Sequence, residues 1–324
     1  MAHELDLTTG RPAIAYTGKV PWHGFGEPMK ESQPLEEWRV AAGLNWEVER
    51  KPAFFHSGYG FEKFPNRDAL IRSDSKAPLA IVSNRFKIVQ PEEVIEFFRS
   101  IIKENGFEMS TAGSLRGGRR VWAMADCGEA FHAHNLGLGK DRVGAHLLLA
   151  TAYDGTFSTT AQFTSIRVVC NNTLGFSLDR GGEGGIVKIP HNQDFNQWDV
   201  KADLGFDSSW ANFRDNVFQL AGHKVTKREA LDYFLTVMGV TEEEAADGKQ
   251  LSNVKKLISI YETGPGAQLP SAKDTMWGAL NAVTYLADHC RASKDNGTRF
   301  DSAAFGTGAQ LKRKAFTHAV AIAA

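Results

Sequence analysis

Residues 113–120 read GSLRGGRR, so that Arg116, Arg119 and Arg120 share eight positions with three glycines. Guanidinium groups pair with phosphate oxygens through paired hydrogen bonds. Glycine lets backbone N–H groups come close to an anion. These residue types at this spacing are those of an anion-binding turn, with the N–H groups of Gly117 and Gly118 assisting. Further cations stand at Arg85 and Lys87, on either side of Phe86, and at Arg167 ahead of VVCNN. Lys224, Lys227 and Arg228 form a third basic group, and Lys255-Lys256 a fourth. Trp22, Phe86, Trp122, Tyr153 and Phe157 are interleaved with them. Arginine beside exposed aromatic rings is the chemistry of single-strand binding, phosphates pairing with the cations and bases stacking on the rings. The plain alternative at each position is a solvated charge or a core aromatic, and Trp122 on its own reads as core.

Other chemistries find less support. GLGKD (137–141) lacks the glycine that a phosphate loop places five positions before Gly139, and Asp141 stands where Ser or Thr would hold magnesium. GGEGG (181–185) is acidic and lacks dinucleotide-loop spacing. His132 and His134 alternate in FHAHN, so a strand would turn both to one side, with Asp126 or His146 as an imaginable third metal ligand. Two histidines without a fixed third are also what a solvated strand end looks like. Cys127, Cys170 and Cys290 stand far apart with no CxxC pair, and buried structural thiols are the simpler reading of the first two. Neither GxSxG nor HExxH occurs.

Several elements must position these groups. PLEEWRVAAGL (34–44) has the pattern of a short helix. NWEVERKPAFFH, DALIRSD and LAIVSNRFKIVQ read as strands, the last broken at Ser83-Asn84. PEEVIEFFRSIIKENG (91–106) is the clearest helix: Pro91 and the acidic pair open it, Val94, Phe97, Phe98, Ile101 and Ile102 make its apolar face, and Asn105-Gly106 closes it. FEMSTAGSLRGGRRVWAMADCG and AHLLLATAYDGTFSTTAQF read as two successive hairpins, Asp154-Gly155 turning the second. SIRVVCNNTLGFSL (165–178) carries apolar residues at helical spacing and is expected to be a helix, although its Asn pair and Gly175 argue against it. From about residue 207 the period becomes helical, and five helical segments follow, one opened by the capping box Thr226 to Glu229.

The expectation is an α+β fold: an antiparallel, hairpin-rich sheet with a packed helix in a core domain of residues 1–206, followed by a helical C-terminal region of residues 207–324. With 37 Lys+Arg against 38 Asp+Glu the formal net charge is -1, so any nucleic-acid site must be a local patch and not a basic coat. Sparse cysteine, the lack of a signal-peptide core in MAHELDLTTGRPAIAY and the lack of a long apolar run point to a cytoplasmic protein with no membrane partner.

PWHGFGEP, FKIVQPEEVIEFF, TAGSLRGGRRVWAMA, LLLATAYDGTFSTTAQFTSIRVVCNNTL, WGALNAVTYLADH and FGTGAQLKRKA resemble the phage/plasmid-like protein family, over almost the whole chain. That family is catalogued as a domain of unknown function and occurs in phages, prophages and plasmids. The resemblance implies a mobile-element protein of the bacterial cytoplasm and no established activity. A second resemblance, at fold level, is to single-strand annealing recombinases, which pack a helix across a β-rich sheet and assemble into rings around a basic groove. Their DNA-contacting residues find no one-to-one match here, so none is carried over.

The leading expectation is a single-stranded-DNA-binding protein of phage or plasmid DNA metabolism, most concretely an annealing protein of homologous recombination that uses no ATP, metal or other cofactor. Its partners would be single-stranded DNA and further copies of itself in a ring or filament. Arg85, Lys87, Arg116, Arg119, Arg120 and Arg167 would pair with phosphates. One alternative is an enzyme with a site around His132, His134, Asp126, Cys127 and Tyr153. The other is a protein-binding module that interferes with host defence, for which an exposed apolar patch in the helical region would be the sign.

Overall fold

The computed structural model describes residues 5–8, 10–18, 26–128, 132–133, 141–167, 172–175, 186–204, 206–241, 244, 251–291, 302–304 and 306–324. The fold is α+β. Its larger sheet has the strand order β11-β10-β9-β7-β6-β1-β2. The strands are β1 (Ile14–Tyr16), β2 (Glu27–Pro28), β6 (Glu108–Leu115), β7 (Arg120–Asp126), β9 (Val143–Ala152), β10 (Thr159–Arg167) and β11 (Asn172–Gly175). β8 (His132–Ala133) continues the edge of β9 beyond β7, and β12 (Ile186–Ile189) shares the outer edge of β10 with β11. All these pairings are antiparallel except β1 with β2.

Both expected hairpins are present. β6 and β7 meet through residues 116–119, with Leu115 opposite Arg120. β9 and β10 meet through residues 153–158, where Asp154 Oδ1 accepts from the Thr156 N–H at 3.1 Å and Gly155 takes a φ of 70°. β9 is buried along its whole length. Its side chains alternate between two clusters: Leu147 and Leu149 join the main core, while Leu148 and Ala150 join a smaller one with Leu5, Ile14, Leu115 and Trp122. Trp122, 2 % exposed, is therefore core and not a stacking platform.

Within the stretch 165–178, expected to be a helix, the described residues 165–167 and 172–175 are strand, and 168–171 and 176–178 lie outside the described residues. Residues 165–167 complete β10, and Asn172–Gly175 return as β11 against Thr164–Arg167. Pairing with β9 on the inner edge commits this stretch to the sheet, which its helical spacing could not reveal.

A second sheet has the order β3-β4-β5, from β3 (Val48–His56), β4 (Phe61–Arg72) and β5 (Pro78–Ser83). β5 is shorter than expected. Asn84 donates to the Asn66 carbonyl at 3.2 Å and Phe86 to Ser83 at 3.0 Å, which turns the chain out of the sheet. Arg85 and Lys87 therefore lie on a turn and an extended segment, not on a strand.

Helix α1 (Leu35–Ala41) packs against α2 (Pro91–Asn105), which lies across β6, β7 and β9. Glu93 accepts the Gln90 N–H at 2.7 Å at the start of α2, and Gly106, with φ 68°, ends it. Val94, Ile95, Phe97 and Phe98 are buried beneath it.

The C-terminal part consists of α3 (Gln197–Asp203), α4 (Phe206–Gly222), α5 (Lys227–Met238), α6 (Leu251–Thr263), α7 (Met276–Tyr285, continued by a π turn over Leu286–Cys290) and α8 (Thr307–Ala323). α8 packs on α4, α5 and α7, and both α7 and α8 touch β11. One hydrophobic cluster runs from Trp38, Phe97 and Tyr153 through Phe213 and Phe234 to Trp277 and Phe316, so sheet and helices share a core. No helix among the described residues is long and apolar enough to cross a membrane.

Candidate nucleic-acid interface

The arginine-rich turn is built on left-handed backbone. Arg116, Gly117 and Gly118 have φ of 56°, 67° and 91°. Gly118 donates its N–H to the Leu115 carbonyl at 3.1 Å and Arg119 to Arg116 at 3.4 Å. The Gly118 N–H expected to face an anion thus closes the turn instead. What Gly118 supplies is close approach: a Cβ there would stand 2.7 Å from Arg72 Nη1 and 2.9 Å from Trp46 Cζ2.

Arg72 ties this turn to the base of the smaller sheet. Its fully buried guanidinium pairs with Asp6, donates to Asp74 at 2.9 and 2.7 Å, reaches the Gly117 carbonyl at 3.4 Å and lies 4.1 Å above the Trp46 ring. Burial pulls its pKa down, but the hydrogen bonds and charges of Asp74 and Asp6 outweigh that and raise it. In return the Arg72 hydrogen bond holds the Asp74 carboxyl below its ordinary value.

The three arginines of the turn part company. Arg119 is exposed, Arg116 is half-buried, and Arg120, the first residue of β7, is buried. Arg120 donates to Thr156 Oγ1 at 2.9 Å, with its guanidinium 5.5 Å from the Phe157 ring centre. It braces the two hairpin turns against each other and is not displayed for an anion.

Lys87 reaches the same end of the molecule. Its N–H donates to the His191 carbonyl at 2.5 Å, and the His191 ring stacks on Phe86 at 4.3 Å. His191 Nε2 lies 3.0 Å from the Phe157 carbonyl, so contacts run without a break from Lys87 to Arg120. Burial lowers the His191 pKa, which keeps the ring neutral near pH 7. Tyr153 closes the group: its N–H bonds the Arg119 carbonyl at 2.8 Å and its hydroxyl the Val89 carbonyl at 2.9 Å. The exposed Lys87 ammonium pairs with Asp194 at 2.8 Å, and Arg85 is exposed on the turn after β5. Arg50 holds that turn, donating to Asp68 at 2.8 Å, to the Ser83 carbonyl at 3.4 Å and to the Phe86 carbonyl.

Arg167 stands apart. It ends β10 opposite Val143 and Asn172, eight residues beyond Thr159 and so about 26 Å along the strand from the hairpin turn. The helical cations are engaged locally: Lys224 donates to the Lys273 carbonyl at 3.2 Å, Lys227 pairs with Glu262 at 2.9 Å and Arg228 with Asp232 at 3.7 Å. Trp22, His134 and Cys170 lie outside the described residues.

Of the described residues considered for an enzyme site, Asp126, Cys127 and the His132 backbone lie beside Gly144–His146 of β9, and Tyr153 does not join them. His146 Nε2 lies 3.7 Å from Asp126 at one end of β9, whereas Tyr153 follows its other end, about 23 Å away along the strand. Tyr153 is buried, with its hydroxyl satisfied by a carbonyl. Burial first, and Asp126 second, push the Cys127 thiol well above its ordinary pKa, which disfavours a thiolate nucleophile. His132 pairs through its backbone with Gly144 in β8. Among the described residues no group of three or more His, Cys, Asp or Glu side chains is placed to hold a metal.

The outer half of the β3–β4 hairpin carries exposed rings that local sequence pattern does not single out. Phe54 (57 %), Phe55 (41 %), Tyr59 (102 %), Phe61 (79 %) and Phe64 (44 %) are all exposed there. In the helical region the exposed large apolar side chains are scattered: Trp198, Phe218 and Ile322. The signal for them is composition: in FFHSGYGFEKF, five rings in eleven residues with one central glycine pair cannot all face one core.

A family model described as a domain of unknown function, DUF932, matches residues 78–304, more than half of the 324-residue chain. No curated protein and no solved structure matches the chain.

Proposed function

The chain belongs to the DUF932 family, a domain of unknown function, and from that premise we propose that it binds single-stranded DNA. The finer reading is an ATP-independent annealing protein of phage or plasmid recombination, working in the bacterial cytoplasm. The observation that carries the proposal is the chain of contacts that joins the β6–β7 turn, with exposed Arg119 and half-buried Arg116, to the segment after β5 with its exposed cations. Arg116 and Arg119 come from the β6–β7 turn, and Arg85 and Lys87 from the segment after β5. Tyr153 joins the two by hydrogen bonds to Arg119 and Val89, and the Phe86–His191 stack and Phe157 lie between them. Cations around partly exposed rings suit a strand whose phosphates are paired and whose bases lie on π faces.

The interface would work by geometry. It needs no nucleotide, because pairing and stacking supply the affinity and a complementary strand supplies the drive to anneal. Side-by-side copies in a ring or filament would continue the groove. Arg120, buried beneath Phe157, would hold the two turns in place, and Arg167 would have no part in the site.

The test is annealing of two complementary labelled oligonucleotides by the purified chain without ATP or added metal, with the mass of the complex measured in parallel. Faster annealing than the spontaneous rate, on a particle of several copies, supports the proposal. No affinity for an oligonucleotide at low salt contradicts it.

A further inference from the structure

The β3–β4 hairpin carries a feature that the cation cluster does not explain. Its inner part is one side of a three-stranded sheet, with β4 residues 67–71 paired to β5. Past Pro52 the register jumps: Pro52 faces Asp68, but Phe54 faces Lys63. Residues 64–67 bulge out opposite the buried Ala53, and Asn66 takes a φ of 57°. Beyond that bulge only the pairs 54/63, 55/62 and 56/61 remain, a two-stranded arm ending in the turn around Tyr59.

Opposed residues in a ladder share a face. Phe54, Lys63, His56 and Phe61 therefore lie together on one face, with His56 and Phe61 edge to face at 5.3 Å. Phe55 and Phe64 meet on the other at 5.6 Å. Large exposed rings on a segment too short to need them for folding mark a surface that binds something. The charge says what. From residue 50 to residue 67 the segment carries Arg50, Lys51, Lys63 and Arg67 against the single acid Glu62, in a chain whose net charge is -1. Arg50 is held by Asp68 and Lys51 by Glu49, but Lys63 and Arg67 have no side-chain partner among the described residues. Arg67 pairs through its backbone with Ser83, two residues before the exposed Arg85.

We infer that the arm, residues 53–67, is a base-stacking platform for single-stranded nucleic acid, with Phe54, Tyr59 and Phe61 taking bases and Lys63, Arg67 and Arg85 the phosphates between them. Arg85 makes the platform continuous with the cation cluster, so a strand crosses from the turn onto the arm. A second copy of the chain is the other occupant such a patch could take. Unpaired cations beside open rings favour a polyanion that carries aromatic bases over a protein of balanced charge. The inference rests on the DNA-binding proposal and names the part of the site that holds bases.

The test uses two fluorescent oligonucleotides of equal length, one oligo-dT and one abasic over its central tract, with the full-length chain. Wild type is expected to bind the dT strand roughly tenfold or more tightly than the abasic strand, the effect of about one stacked base. Phe54→Ser/Tyr59→Ser/Phe61→Ser should lose that ratio while keeping its circular dichroism spectrum. Arg116→Ala/Arg119→Ala should weaken both strands alike and keep the ratio. Wild-type affinity and ratio in the arm variant would overturn the inference and leave the DNA-binding proposal standing. A changed sedimentation coefficient without DNA, at an unchanged ratio, would overturn it in favour of a second copy. If wild type binds neither strand at low salt, the proposal and the inference fall together.

Discussion

Arg119 and Arg120 are neighbours in sequence with opposite surroundings. Arg120 opens β7 and is buried against Thr156 and Phe157, whereas Arg119 stays in the turn and is exposed. Beneath both lies Arg72, which pairs with Asp6 and Asp74 in full burial. Removing one partner of such a pair strands the other charge, at a cost of about 3–5 kcal/mol. Arg72→Met should therefore lower the free energy of unfolding by about that much in a denaturant titration. Arg72→Lys should recover part of it, because an ammonium cannot reproduce the paired hydrogen bonds. Gly118→Ala should cost about 1–3 kcal/mol by the same measurement, since both Trp46 and Arg72 are pinned where the methyl would go. Asp74 adds a pH signature. Its folded-state pKa is depressed, chiefly by the Arg72 hydrogen bond, so its contribution is complete above the unfolded value of about 3.9 and vanishes as pH falls through the lower folded value. The denaturation midpoint of wild type should fall below about pH 4 more steeply than that of Asp74→Asn.

At the scale of elements, what the sequence reveals depends on how local the cause is. α2 and α5 are readable because their ends are written in adjacent residues: Pro91, Glu93 and Gly106 for one, Thr226, Glu229 and Gly239 for the other. The two hairpins are readable for the same reason. The stretch 165–178 is misleading because its start is committed by pairing with Val143–Ala145 of β9, twenty or more residues away, and not by its own spacing. The aromatic arm was missed because exposure depends on whether another layer covers a strand, and no local pattern reports that. Likewise, cation content pointed to the β6–β7 turn, but which arginine faces inward depends on Thr156 and Phe157 in the next hairpin. The arm should also behave as a separate stability unit. Amides of residues 54–56 and 61–63, held by two strands, should exchange with deuterium faster than those of 68–70 in the three-stranded part. Between α7 and α8, Lys312 and Asp288 form a buried pair at 2.6 Å. Lys312→Met should destabilise by about 3–5 kcal/mol, and adding Asp288→Leu should restore much of that in a thermal or denaturant melt.

For the whole molecule, the shared hydrophobic core makes the sheet end a rigid frame, so a strand bound there meets prearranged cations. With a net charge of -1, the proposed affinity for DNA would come from that local group. This predicts a finite, countable salt dependence and not the steep response of a basic coat. The most direct measurement is the affinity for a labelled single-stranded oligonucleotide as a function of salt, for wild type, Arg116→Ala/Arg119→Ala and Arg167→Ala. With Arg85, Lys87, Arg116 and Arg119 engaged together with Lys63 and Arg67 of the arm, log affinity against log salt should have a slope of about -4, falling to about -3 in the double variant. Arg167→Ala, at the far end of β10, should match wild type. Equal slopes for wild type and the double variant, or loss of binding in Arg167→Ala alone, would contradict an interface at the arginine turn.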